Sequence, residues 1–174
     1  VLNQKSNVLI TAGCKAHFTA VYGAGTKAQT GDVSVNIYGG TVDKLFGAGT
    51  GEGTVKGNVT VNVSGGTINS PIYGGGEGAD VTGNTTVTVS NDDLEISKSI
   101  YGGGKGSEVT EGSKVTVNVP NNVKDSFNLD TISGSGTNAE GTALEDNVKG
   151  NKEISIVNKV AKDNRDEPKD GILQ

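Results

Sequence analysis

The chain is poor in the residues that disulfide, metal and catalytic sites are commonly built from. Its 174 residues include one Cys, one His, one Arg, three Pro, no Trp and no Met. One Cys excludes an internal disulfide framework and a Cys-rich zinc site. Only seven residues are aromatic, and the hydrophobic fraction is 32%. That is below what a compact globular core of this length uses. No apolar run approaches the roughly 20 residues that span a bilayer. The formal net charge is -5, with 15 basic and 20 acidic side chains. An acidic balance argues against a nucleic-acid groove, which needs clustered Lys and Arg on phosphates.

Glycine is abundant, at 28 residues, and it falls in a repeat. One motif is an apolar-aromatic pair followed by small residues: Val21-Tyr22-Gly23, Leu45-Phe46-Gly47, Ile72-Tyr73-Gly74 and Ile100-Tyr101-Gly102, with a degraded copy at Ile132-Ser133-Gly134. The steps between copies are 24, 27, 28 and 32 residues. The second motif is a Gly followed by strict alternation. Examples are Gly31-Asp32-Val33-Ser34-Val35, Gly57-Asn58-Val59-Thr60-Val61 and Gly83-Asn84-Thr85-Thr86-Val87, with looser copies at 112–119 and 150–156. Its steps are 26, 26, 29 and 38 residues.

Alternation of period two is a strand signal with one buried face. Val, Thr and Ile fill these segments, which suits a pleated surface and disfavours helix. Each period holds about three short extended pieces separated by Gly-rich corners. If one period is one coil, equivalent strands stack about 4.8 Å apart and their side chains form columns. The expected inward columns are Val33, Val59, Thr85 or Val87, Val115, and then Val35, Val61, Val87, Val117. The outward ones are Ser34, Thr60, Thr86, Thr116, and then Asn36, Asn62, Thr88, Asn118. Apolar matches apolar and polar matches polar in these columns. The expected fold is therefore all-β: a single-stranded parallel β-helix, a solenoid of about five coils of roughly 26 residues. Right-handed coiling follows from the rule for parallel crossovers. An antiparallel sandwich is the alternative, but it has no reason to repeat every 26 residues.

The solenoid is expected over 1–160, with an irregular first coil at 1–20, clear repeats over 21–137 and a degenerate coil or cap at 138–160. Residues 161–174 read as a polar linker or tail, since half of the window 145–170 is charged. The chain lacks an initiating Met and a signal-peptide pattern, so it reads as a mature product or as a piece cut from something longer.

The repeats Ile-Tyr-Gly-Gly-Gly and Gly-Asn-Val-Thr-Val-Asn-Val-Ser-Gly-Gly-Thr-Ile, over about 20–137, resemble the Gly-rich repeat regions of large bacterial surface proteins. Those regions are described as adhesin-like or pectin-lyase-like parallel β-helices. The resemblance implies a cell-surface or extracellular location and a binding or spacer role. The same fold class includes polysaccharide lyases and hydrolases, which align carboxylates and a base in one cleft. Here Arg165 sits in the polar tail, His17 precedes the first clear repeat and Asp92-Asp93 sits in a turn. No catalytic residue is assigned, and the chain is expected not to be an enzyme.

Gly75-Gly76-Glu77-Gly78-Ala79-Asp80 matches the start of a calcium-binding nonapeptide, but the period of about 28 is not nine, so no metal or cofactor is expected. The candidate ligand-binding residues are Tyr22, Phe46, Tyr73 and Tyr101, four rings at one repeat position. If their apolar neighbours point inward, the rings lie outside and offer a row for stacking on sugars; otherwise they fill volume. The Thr and Asn columns stabilise stacked strands or, in the ice-binding alternative, order water. Cys14 reads as a buried small hydrophobe. Asn58, Asn62 and Asn84 head glycosylation sequons, awkwardly placed within regular coils.

The sequence thus points to a non-catalytic, adhesin-like binding or spacer module. Its partners would be a host or environmental glycan or protein, with no nucleic acid and no membrane segment. The alternatives are a carbohydrate-active β-helix enzyme and a stalk without ligand. Open coil ends also invite end-to-end self-association.

Overall fold

The structure, a computed structural model, describes residues 4–27, 29–90, 94–96, 99–119, 129–144 and 147–158. Among these residues there is no helix, and the strands form three parallel sheets that wind as a β-solenoid. The first sheet runs Ser6–Ile10, Val33–Val42, Val59–Ile68, Thr85–Ser90, Ser113–Val119 and Lys152–Asn158. His17–Phe18 and Leu94–Ile96 pair with the far ends of its two longest strands. The second sheet stacks Val21–Tyr22, Leu45–Phe46, Ile72–Tyr73, Ile100–Tyr101 and Ile132–Ser133. The third stacks Gln29–Thr30, Thr54–Val55 and Asp80–Val81, and single bridges carry it on to Val109 and Val148.

Successive rungs of the first sheet begin at Ser6, Val33, Val59, Thr85, Ser113 and Lys152, which are 27, 26, 26, 28 and 39 residues apart. The pairing is in register, so each side chain stands over its equivalent. Three inward columns fill the core from this face. They are Ser6-Val33-Val59-Thr85-Ser113, Val8-Val35-Val61-Val87-Val115-Ile154 and Ile10-Ile37-Val63-Val89-Val117-Ile156. Leu45, Ile72 and Ile100 close the core from the second face; Val55, Val81, Val109 and Val148 close it from the third. Each such Val or Ile contributes about 1.5–3 kcal/mol on full burial. A narrow tube of β-branched side chains therefore suffices without large residues. The rung at Ser6–Ile10 places regular stacking within the expected irregular first coil, whereas the expected tail at 161–174 lies outside the described residues.

The columns correct the expected register of one coil. Val115 stands over Val87, the second of the two places left open for it, and Val117 stands over Val89 rather than Val87, two residues along from the expected alignment. Outward, Lys114 rather than Thr116 follows Thr86, and Thr116 rather than Asn118 follows Thr88. The cause is polar. Ser113 takes the place of Thr85, and both hydroxyls donate inward to a glycine carbonyl of their own coil: Thr85 to Gly102 at 2.6 Å, Ser113 to Gly134 at 2.5 Å. A buried hydroxyl costs stability unless bonded. This position therefore accepts Val, or a hydroxyl that finds that carbonyl. Gly112 then falls in the place of Asn84 and donates its N–H to the Asn84 Oδ1 at 2.9 Å.

Two glycine roles shape the coil. The long strands turn a corner at Gly39-Gly40 and Gly65-Gly66, where Gly40 and Gly66 have φ of 77° and 87°, a conformation that costs other L-residues dearly. The first sheet therefore bends within its long strands, and each of these periods holds three strands, as expected, for example Val33–Val42, Leu45–Phe46 and Thr54–Val55. Gly47 is needed for space instead. A Cβ there would run into the Gly74 carbonyl of the next coil and lie 2.6 Å from Val59 Cγ1. Gly47→Ala is expected to lower stability by about 1–3 kcal/mol through overpacking. Gly13→Ala, where a Cβ meets nothing within 4 Å, should change it by less than about 0.5 kcal/mol. Urea unfolding midpoints at unchanged slope would check the contrast; equal effects would contradict the close packing.

Candidate functional site

The second sheet builds the candidate site. Its strands are two residues long, and alternation sends the two side chains to opposite sides. Val21, Leu45, Ile72 and Ile100 enter the main core. Tyr22, Phe46, Tyr73 and Tyr101 lie on the other side and form a separate cluster. Of the two alternatives left open by the sequence, the apolar neighbours are the ones that point inward.

Three of the four rings nevertheless do not face solvent. Phe46, Tyr73 and Tyr101 are only 3%, 5% and 8% exposed, and Tyr22 is half-buried. Their planes are nearly parallel, tilted by 8°, 9° and 14°, with centroids 5.4, 4.8 and 5.1 Å apart. Rung spacing imposes those distances, and each stacked pair contributes about 0.5–1.5 kcal/mol beyond its buried area. Phe46 and Tyr73 have a ring against each face; Tyr22 and Tyr101 end the row. The column loses its ring at Ser133, which stands over Tyr101.

The glycine-rich segments after the rings fold over them. Thr50, Glu77, Lys105 and Thr137 bridge one to the next in parallel, a fourth stack beside the aromatic one. Each lies four residues after its coil's ring position. The Tyr22 hydroxyl donates to the Glu77 carboxylate, and Lys44 and Lys105 flank that carboxylate at 3.8 and 3.6 Å. Tyr73 hydroxyl lies 3.3 Å from Thr137 Oγ1. Burial first, then the bond to Glu77, pushes the Tyr22 phenol up to about 12. Burial also raises Tyr73. Sequence reading missed Glu77, Lys44, Lys105 and Thr137 as ring partners. The signal was present in the fixed spacing of Thr50, Glu77, Lys105 and Thr137 from the ring position.

The other sequence candidates are scattered. His17 forms an exposed pair with Asp43, Nε2 to Oδ1 at 2.7 Å. The Asn69 amide and then His17 hold the Asp43 carboxyl below its ordinary range. Asp80, in the calcium-like motif, accepts the Glu108 backbone N–H at 2.8 Å, and its neighbour Glu77 is turned to Tyr22. Among the described residues no three His, Cys, Asp or Glu side chains gather as a metal site. Asp92, Asp93 and Arg165 lie outside the described residues. Cys14 is half-buried and packs against the core.

The sequon asparagines are occupied by the fold. Asp32 Oδ1 accepts the Asn58 N–H at 3.1 Å, and Asn58 Oδ1 accepts the Asn84 N–H at 2.8 Å. Asn62 Nδ2 donates to Asn36 Oδ1 at 2.9 Å. The Asn58 backbone bond and then Lys5 hold the Asp32 carboxyl low. These rows tie each coil to the next by hydrogen bonds.

The shifted phenol gives a direct test. Because Tyr22 in the folded chain stays protonated up to about 12, the unfolded chain ionises first, near pH 10. The stabilisation is therefore complete below about pH 10 and is lost as pH rises from 10 to 12. Ultraviolet titration should show one phenol ionising at about 12 that is missing from Tyr22→Phe. All four tyrosines titrating together near pH 10 would contradict the buried bond to Glu77.

No family model, no characterised protein and no solved structure matches this chain. The likeness stated from the repeats thus stands at the level of a parallel β-solenoid.

Proposed function

We propose that the chain is a non-catalytic spacer module of an adhesin-like surface or secreted protein, a stiff rod whose aromatic column is part of its own wall. The observation that carries this reading is the covered ring stack. An aromatic platform for sugars presents ring faces to solvent; here the inner ring faces meet one another, and the row of Thr50, Glu77, Lys105 and Thr137 lies beside them. Several acidic groups along the walls are paired with lysines of a neighbouring coil. Asp32 pairs with Lys5, Glu77 with Lys44 and Lys105, Glu108 with Lys149, and Glu153 with Lys114. Bonded rows that run from coil to coil suit a part whose task is length and stiffness.

A screen of polysaccharides and glycans tests this, run on the wild type and on Tyr73→Ala/Tyr101→Ala, with and without a calcium chelator, with sugar release measured in parallel. The reading predicts no binding and no product. It also predicts that the double variant unfolds more easily by at least about 3–5 kcal/mol, the usual cost of removing a buried aromatic ring. Glycan binding that disappears in a still-folded double variant would make the ring column a recognition site. Sugar release by the wild type would replace the spacer with an enzyme.

A further inference from the structure

The two ends of the first sheet match each other in register. Along the sheet, one backbone bond repeats from coil to coil. Ser6 N–H donates to Asp32 C=O, Val33 to Asn58, Val59 to Asn84, Thr85 to Gly112 and Ser113 to Asn151, all between 2.8 and 3.0 Å. Lys152 stands next in this column, on the last strand of the sheet. At the opposite end, Ser6–Ile10 is the first strand. Its residues 6, 8 and 10 turn their backbone groups toward the coil below, so alternation leaves those of Lys5, Asn7 and Leu9 at the outer edge.

We infer that a second copy of this chain continues the solenoid, with the strand Ser6–Ile10 of one copy pairing in register on Lys152–Asn158 of the next. Lys152 N–H then donates to Lys5 C=O, the sixth bond of the series. Ile154 comes over Val8 and Ile156 over Ile10, extending the two inward columns by one coil. Ile154 and Ile156 are 46% and 61% exposed in the single chain. The matching recess at the other end, about 440 Å³, is lined by Val8, Ile10, Cys14, Phe18, Val21 and Tyr22. Asn151 comes under Lys5, where its Oδ1 receives an N–H as those of Asn58 and Asn84 do.

One charge opposes the junction: Lys152 stands in an inward column over Ser113, and Ser6 of the next copy would cover it at a cost in stability. Lys152 meets Ser6 and Glu153 meets Asn7, so no like charges face each other in these columns. Lys5 is paired with Asp32, and Glu153 with Lys114, within their own copies. The surfaces differ at the two ends, so the contact is head to tail and propagates rather than closing as a pair. This inference does not depend on whether the chain binds a glycan.

The test uses two edge variants of the full chain. Leu9→Pro removes an outward N–H at the first edge, and Ile156→Pro removes one at the last edge; edge strands are where Pro is tolerated. Light scattering over a concentration series should show the wild type growing to multiples of the chain mass. Each variant alone should remain at the single-chain mass. An equimolar mixture should give twice that mass and stop, since one good edge of each kind remains. The double variant Leu9→Lys/Ser155→Lys, whose lysines share an outward column and would face each other at every junction, should likewise stay single and leaves the core untouched; circular dichroism checks folding of all three variants. A wild type that stays single at every concentration would overturn the inference. Growth by either variant alone would also overturn it, by showing like ends pairing.

Discussion

Everything in this molecule depends on coils that stack without slipping. A parallel ladder places each residue over its equivalent one coil away, so whatever a position contributes is multiplied along the axis. An apolar residue becomes a core column, an asparagine a row of amide bonds, a tyrosine a stack of rings. The register itself is held redundantly. Three inward columns, the Asp32-Asn58-Asn84 row and the aromatic stack all favour the same alignment, and a slip of one residue would turn every inward side chain outward. Where a column must carry a hydroxyl, at Ser6, Thr85 and Ser113, the bond to a glycine carbonyl of the same coil removes the cost of burial.

The aromatic column shows how position governs what a residue can do. The rings lie outside the main core, as a binding platform would, yet the glycine-rich segments that follow them return as a second layer. Glycine makes this possible twice, by letting coils approach closely at Gly47 and by leaving the covering segments without bulk. The polar atoms of this layer are consumed locally, Glu77 by Tyr22 and two lysines, Thr137 by Tyr73. A wall built this way is suited to bearing load and to keeping a fixed spacing, which is why the spacer reading fits it better than a platform that must change partners.

Much of the fold was legible in the sequence because a solenoid writes its structure as repetition. Spacing alone gave the rungs at Val33, Val59 and Thr85 and placed Tyr22, Phe46, Tyr73 and Tyr101 in one stack. The coil beginning at Ser113 was misaligned by two residues, because Gly112 looks like the leading glycine of the motif but occupies an asparagine place. The rung at Ser6–Ile10 is hard to see in the sequence, since its outward Leu9 breaks the apolar-polar alternation. The covering of the rings was not legible, because it depends on where four separate residues, Thr50, Glu77, Lys105 and Thr137, come to lie once the coils stack. The residue types alone do not distinguish a sugar platform from a buried ladder; the path of the following glycines does.

Register is the claim on which the core, the ring stack and the open ends all rest, and it can be read chemically. In a background of Cys14→Ser, cysteines placed at Thr60 and Thr86, which face outward in one column, should close a disulfide within a single chain on mild oxidation, since in-register parallel neighbours have the Cα separation that a disulfide requires. The same pair moved off register, at Thr60 and Thr88, should close far more slowly. Equal rates for the two pairs, or preferential closure of the second, would contradict the stacked parallel coils described here.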